Sequence, residues 1–167
     1  ICIKQVPDSW AEKKMAGGVL DRAGVDAVLN DLDEYAVEEA LRIVEANSPT
    51  KEAGEASGHT ITLISMGPER ATEAIRKALS MGADDAILVT DPSLAGSDAL
   101  ATSLVLSEVI KKGNYDLVLC GTESTDARMS VIPAMISQRL GWAQLTFAGK
   151  VKADPATSTV EIERVTE

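Results

Sequence analysis

Tyr115-Asp-Leu-Val-Leu-Cys-Gly-Thr-Glu-Ser-Thr-Asp-Ala-Arg-Met-Ser-Val-Ile-Pro-Ala-Met-Ile136 reads as a buried strand, a glycine, a hydroxyl-rich loop and a helix, in that order. Leu117, Val118 and Leu119 are too uniformly apolar for a half-exposed strand. Gly121 gives the backbone freedom to turn where the strand ends. Ser130 is suited to cap the following helix, and Pro133 falls in its first turn, where a missing N–H costs little. The N–H groups and the dipole at that helix end attract anions, and Thr122, Ser124, Thr125 and Ser130 add hydroxyls. The segment is therefore either an anion site or an ordinary strand-to-helix turn.

Working outward, the chain alternates strands and helices. Ile1 to Val6 is an expected first buried strand ended by Pro7, and Asp8 to Leu29 an expected long loop with Gly17-Gly18. A loop of that length, carrying Trp10, Met15 and Val19, suits a partner-facing role. Asn30 or Asp31 caps a helix with Leu32, Tyr35, Ala36, Ala40, Ile43 and Val44 on one face. Ser48 to Gly58 has the composition of an exposed, mobile loop. A second strand spans Thr60 to Met66, and Gly67-Pro68 opens a helix striped by Ala71, Ala74, Ile75, Ala78 and Leu79, with a Glu73–Lys77 pair. Ala86 to Thr90 is a third strand, and a helix runs from Ser97-Asp98 to Lys112, stopped at Gly113. Short strands are expected at Gln144 to Ala148, Lys150 to Ala153 and Ser158 to Val165, with a turn at Asp154-Pro155.

This alternation predicts an α/β fold: a doubly wound, mostly parallel sheet in the order 3-2-1-4-5, with added C-terminal strands. Ligands bind such sheets at the switch point, here between the ends of the first and fourth strands. Val6 to Asp8 and Gly121 to Ser130 line that crevice, with Met66-Gly67-Pro68 nearby.

Composition narrows the partners. Of 167 residues, 45% are hydrophobic and 25% charged, which suits one globular domain with one core. The formal net charge of −10 repels nucleic acid and anionic membranes, so a protein partner is favoured and any phosphate must be held by local donors. No apolar run of transmembrane length or export leader is visible, which predicts a soluble chain without direct membrane insertion. Cys2 and Cys120 fall in expected buried strands without metal-ligand spacing, where cysteine acts as a small hydrophobe and a reducing compartment fits. His59 is the single histidine, too little for a His-dependent triad or metal centre. No catalytic residues are assigned, and no metal ligands.

Several separated blocks resemble the β subunit of electron transfer flavoproteins, the family that includes FixA. They are Ile3-Lys4-Gln5-Val6-Pro7-Asp8, Asn30 to Ala40, Ser65-Met66-Gly67-Pro68-Glu69-Arg70, Ala78 to Asp84, Asp116 to Asp126, and Gln144-Leu145-Thr146-Phe147-Ala148. The resemblance covers essentially the whole chain and implies a three-layer, Rossmann-like, adenine nucleotide alpha hydrolase-like domain over residues 1–167, without the family's C-terminal extension. It implies an electron carrier rather than an enzyme: a heterodimer with an α subunit that holds the redox FAD, taking electrons from acyl-CoA dehydrogenases and related enzymes to a membrane quinone oxidoreductase. The location implied is the cytoplasm of a bacterium or the mitochondrial matrix of a eukaryote. The β subunit of this family buries a structural AMP. By position, its contacts fall on Cys2, on Asn30, Asp31, Leu32 and Asp33, on Met66 and Gly121, and on Thr125, Asp126, Ala127, Arg128, Met129, Ser130, Val131, Ile132, Pro133, Ala134, Met135, Ile136 and Ser137. Leu32 stands where some members carry an aromatic near the flavin. Bifurcating members replace AMP by a second FAD over a glycine-containing loop; Ala127 in Asp126-Ala127-Arg128 lacks that glycine, which favours AMP. A stand-alone nucleotide-binding stress-type domain is the alternative, and the absence of a Gly-x-x-Gly phosphate loop after Gly121 argues against it.

Overall fold

The computed structural model describes residues 1–48 and 58–165. The expected loop from Ser48 to Gly58 lies, for residues 49–57, outside the described residues.

The first strand differs from its expectation. Cys2 makes parallel bridges to both Ile64 and Cys120, whereas the ladder β1 starts only at Gln5–Pro7 and pairs antiparallel with β4 (Ala27–Leu29). Pro7 is thus the last strand residue; its missing N–H is tolerable at a two-stranded edge. The long loop between them is structured. β2 (Met15–Ala16) and β3 (Val19–Leu20) form a hairpin in which Gly17 and Gly18 both have positive φ, the conformation a two-residue turn requires. Trp10, Met15 and Val19 are exposed.

α1 covers Asp31–Asn47. Its buried face is Asp33, Ala36, Val37 and Ala40, spaced by three and four residues. Tyr35, expected on that face, is 73% exposed: it lies off the Asp33–Val37–Ala40 line. β5 (Thr62–Met66) and β6 (Asp85–Val89) pair in parallel in register, joined by a 3-10 turn at Glu69–Ala71 and α2 (Thr72–Ser80). The α2 stripe is buried as expected at Ala71, Ala74, Ile75 and Ala78. Glu73 accepts a hydrogen bond from Gln5 Nε2 at 3.4 Å, and among the described residues no ion pair joins it to Lys77.

α3 (Ala99–Gly113) is capped by Asp98, whose carboxylate accepts from Ala101 N–H at 2.8 Å. Its end falls one residue later than expected: Asn114 takes the left-handed conformation, and Gly113 makes room for the Tyr115 ring. The expected fourth strand reduces to the bridge at Cys120, and Leu117 is 38% exposed. Among the described residues, 117–119 have a bridged or hydrogen-bonded strand neighbour on the Cys2 side alone, and the expected strand at Gln144 to Ala148 is non-ladder backbone up to Phe147. α4 (Ile132–Leu140) leads instead to a hairpin of β7 (Ala148–Asp154) and β8 (Thr159–Arg164), turned at 155–158 as the Asp154-Pro155 signal predicts.

Adjacent residues of β5 divide the core. Leu63, fully buried, packs with Ile3, Leu29, Val37, Ala74, Ile75 and Ala78 on one side. Ile64 packs with Leu106, Ile110 and Ile136 on the other. Since successive strand side chains point to opposite faces, α1 and α2 cover one face and α3 and α4 the other. This is a mixed α/β arrangement with β6, β5, Cys2 and Cys120 as successive parallel neighbours.

Candidate functional site

The loop after Cys120 is held by residues far away in sequence. Asn30 is fully buried and precedes α1, yet its side chain does not cap that helix. Its Nδ2 donates to Glu123 O at 2.9 Å and its Oδ1 accepts from Thr125 N–H at 3.0 Å. One amide thus satisfies a carbonyl and an N–H of the loop, a use that cap statistics cannot reveal. Gly121 contributes through size rather than through unusual backbone angles. A Cβ there would lie 2.4 Å from Asp33 Oδ1 and 2.8 Å from Leu32 O.

Asp126 is the electrostatic centre of the loop. Its side chain is 2% exposed and pairs with Lys4 Nζ at 2.9 Å and with the Arg22 guanidinium. Burial opposes its ionisation, but Lys4, Ser124 and Arg22 together outweigh burial and hold the carboxyl well below the usual range. Arg22 reaches it from the segment after β3, where the Arg70 guanidinium binds Arg22 O at 3.0 Å and Val25 O at 3.2 Å.

Asp33 behaves oppositely. Burial raises its pKa to about 6, against the Asn30 side chain, the Lys4 N–H at 2.8 Å, the Lys4 charge and the Gly121 amide, which lower it. The folded protein therefore holds this proton up to about pH 6, whereas an unfolded chain releases it near pH 3.8. In that window the folded state binds more protons, so stability falls as pH rises, by roughly 3 kcal/mol once pH 7 is passed. Asp33→Asn, which does not titrate and keeps an acceptor for Lys4 N–H, should gain about that much on wild type between pH 3.5 and 7. Urea midpoints across that range measure it, and a flat difference would mean that Asp33 is ionised in the folded protein.

Most of the remaining expected residues fall into four sets. Cys2, Met66, Ile132 and Ile136 belong to the core cluster under α3 and α4. Arg128 and Ser130 meet at Glu123: the guanidinium is 3.5 Å from Glu123 Oε1, and the hydroxyl donates to Oε2 at 2.9 Å. Ala127, Met129, Ala134 and Asp31 are exposed, and Met135 is half-buried. Ser137 stands apart, donating to Trp142 O at the far end of α4.

Ser130 does not cap α4. It has φ +55°, as Arg128 has +49°, whereas a serine whose hydroxyl caps a helix typically has extended backbone. The N-cap is Val131, without a side-chain bond, and Pro133 is in the first turn as expected. Lys4, Arg22 and Glu123 escaped the sequence reading. Lys4 was the available signal, a cation within an apolar strand. A cavity of about 400 Å³ lined by Asp8, Trp10, Leu29, Asp31, Glu34 and Lys77 includes Asp8 of the expected crevice and Asp31 of the expected AMP contacts. Among the described residues no helix is long and apolar enough to cross a membrane.

Comparison with known proteins bears on this arrangement. Residues 17–167 match the profile of the electron transfer flavoprotein domain. The chain is 45% identical over 166 residues to the electron transfer flavoprotein subunit beta of Mycobacterium tuberculosis (strain ATCC 25618 / H37Rv), covering 98% of this chain and 60% of that protein. It is 38% identical over 172 residues to the subunit of the same name from Megasphaera elsdenii, with 98% and 60% coverage. Protein FixA of Azotobacter vinelandii is 40% identical over 174 residues, covering 100% of this chain and 58% of that protein. The chain thus spans about three-fifths of the length of these relatives.

Proposed function

The chain belongs to the electron transfer flavoprotein family, and from that premise we propose that it is the β subunit of a heterodimeric electron carrier that buries a structural AMP beside an α subunit holding the redox FAD. Residues 1–167 act as one nucleotide-binding domain built on a doubly wound sheet in the order 3-2-1-4-5. The complex takes electrons from acyl-CoA and other dehydrogenases and delivers them to a membrane quinone oxidoreductase. The chain has no catalytic step of its own.

The observation that carries the AMP assignment is the anchored loop. Asn30 fixes the backbone at Glu123 and Thr125, Asp126 is clamped by Lys4 and Arg22, and the loop ends at the helix start of α4, which has no side-chain cap. A rigid loop feeding a helix N-terminus presents N–H groups to a phosphate at little ordering cost. The Glu123 carboxylate engages Arg128 and Ser130, the two side chains suited to the same phosphate. An anion of the protein and an anion of the ligand then compete for one pair of donors.

In the full-length heterodimer Glu123→Gln should therefore hold AMP about five-fold more tightly, the scale of one exposed ion pair. Bleaching of the α-subunit flavin by an acyl-CoA dehydrogenase and its substrate should be unchanged. Calorimetric titration with AMP and visible absorbance read the two effects. Unaltered AMP affinity would move the phosphate away from Arg128 and Ser130, and a flavin that no dehydrogenase bleaches would sink the carrier role.

A further inference from the structure

Cys2 and Cys120 are directly opposed across a parallel bridge between neighbouring segments, and both are partly exposed. Bridged residues on adjacent strands lie about 5 Å apart, within the span of about 4.4–6.8 Å that a disulfide tolerates between Cα atoms. The pair is also chemically asymmetric. The neighbouring Cys120 side chain lowers the Cys2 pKa, while Cys120 itself is pushed well above the ordinary value, first by Cys2 and then by burial. One sulfur is thus the better nucleophile and the other is held as its resolving partner.

We infer that Cys2 and Cys120 form an oxidisable dithiol that closes to an intramolecular disulfide when it meets hydrogen peroxide. The Cys2 thiolate attacks one peroxide oxygen and the O–O bond breaks. Hydroxide leaves and takes up a proton as water, and Cys2 becomes a sulfenic acid. The Cys120 sulfur then attacks the Cys2 sulfur, the S–O bond breaks, and a second water departs with the Cys120 proton. Two thiols give up two electrons, and one peroxide is reduced to two waters. The bond ties the segment before β1 to the strand end that feeds the nucleotide loop, two segments otherwise joined there by Cys2 N–H to Leu119 O at 3.1 Å.

The test is peroxide treatment of the full-length protein, as isolated and again after bound nucleotide has been stripped, followed by peptide mapping without reduction. The expected product in at least one state is a cross-linked peptide pair containing residues 2 and 120, about 2 Da lighter than the two thiol peptides together and restored by dithiothreitol. In Cys120→Ser the link is lost and Cys2 advances to adducts of about 16 and 32 Da. Sulfinic or sulfonic acid on either wild-type cysteine without a link, or two thiols still titratable after denaturation in both states, overturns the inference. In that case the pair is core packing alone.

Discussion

Gly121→Val should cost about 4 kcal/mol of folding stability, more than the 1–3 kcal/mol usual for overpacking. The added Cβ meets Asp33 Oδ1 at 2.4 Å, Leu32 O at 2.8 Å and Leu32 C at 2.9 Å. Two of these atoms are backbone in the first turn of α1, which cannot swing aside without disturbing Asn30 and its bonds to the loop. The third accepts no relief by rotation, because Asp33 is already bound to Lys4 N–H. The strand end and the helix start must separate, and the Asp126 anchors go with them. Urea denaturation with a preserved m-value reads the loss. A cost below about 1 kcal/mol would mean that Gly121 and α1 are not in contact.

Asn30→Leu is expected to match it. Leucine shares the branched heavy-atom outline of asparagine but is the larger side chain, so no cavity arises and some overlap is added. The substitution also strands the Glu123 carbonyl and the Thr125 N–H at a position with 0% exposure. Each unsatisfied buried group costs about 1–3 kcal/mol, which gives about 4 kcal/mol together. Against a typical domain stability of about 5–15 kcal/mol the variant still folds, so its ligand content is measurable. It should lose AMP while the α-subunit flavin remains bound. Stability within 1 kcal/mol of wild type would show that the clamp is not formed.

Local chemistry was legible where one residue decides the outcome alone. Asp98 caps α3, Pro133 enters the first turn of α4, and the Ala71–Ala78 stripe buries as its spacing requires. What failed depended on partners distant in sequence. Asn30 has the composition of a cap but is claimed by a loop more than ninety residues away. Ser130 has the same preference and is prevented from capping by a left-handed backbone. Leu117 to Leu119 look like an interior strand because their side chains are apolar. An apolar run specifies burial, not the neighbour that completes the ladder, and among the described residues the Cys2 side alone is paired. Asn30, Asp33, Gly121, Thr125 and Asp126, all within the family blocks, lie around one loop. The blocks did not single out Lys4 and Arg22, which pair with Asp126 across the fold, or Glu123, which pairs with Arg128 within the loop.

The central claim is that this chain contributes a structural adenine nucleotide to a flavin carrier rather than a second flavin. The most direct measurement denatures the purified full-length heterodimer and identifies the released nucleotides by mass and quantity. One AMP and one FAD per heterodimer is the predicted result. Two FAD and no AMP would contradict it and put a bifurcating carrier in its place.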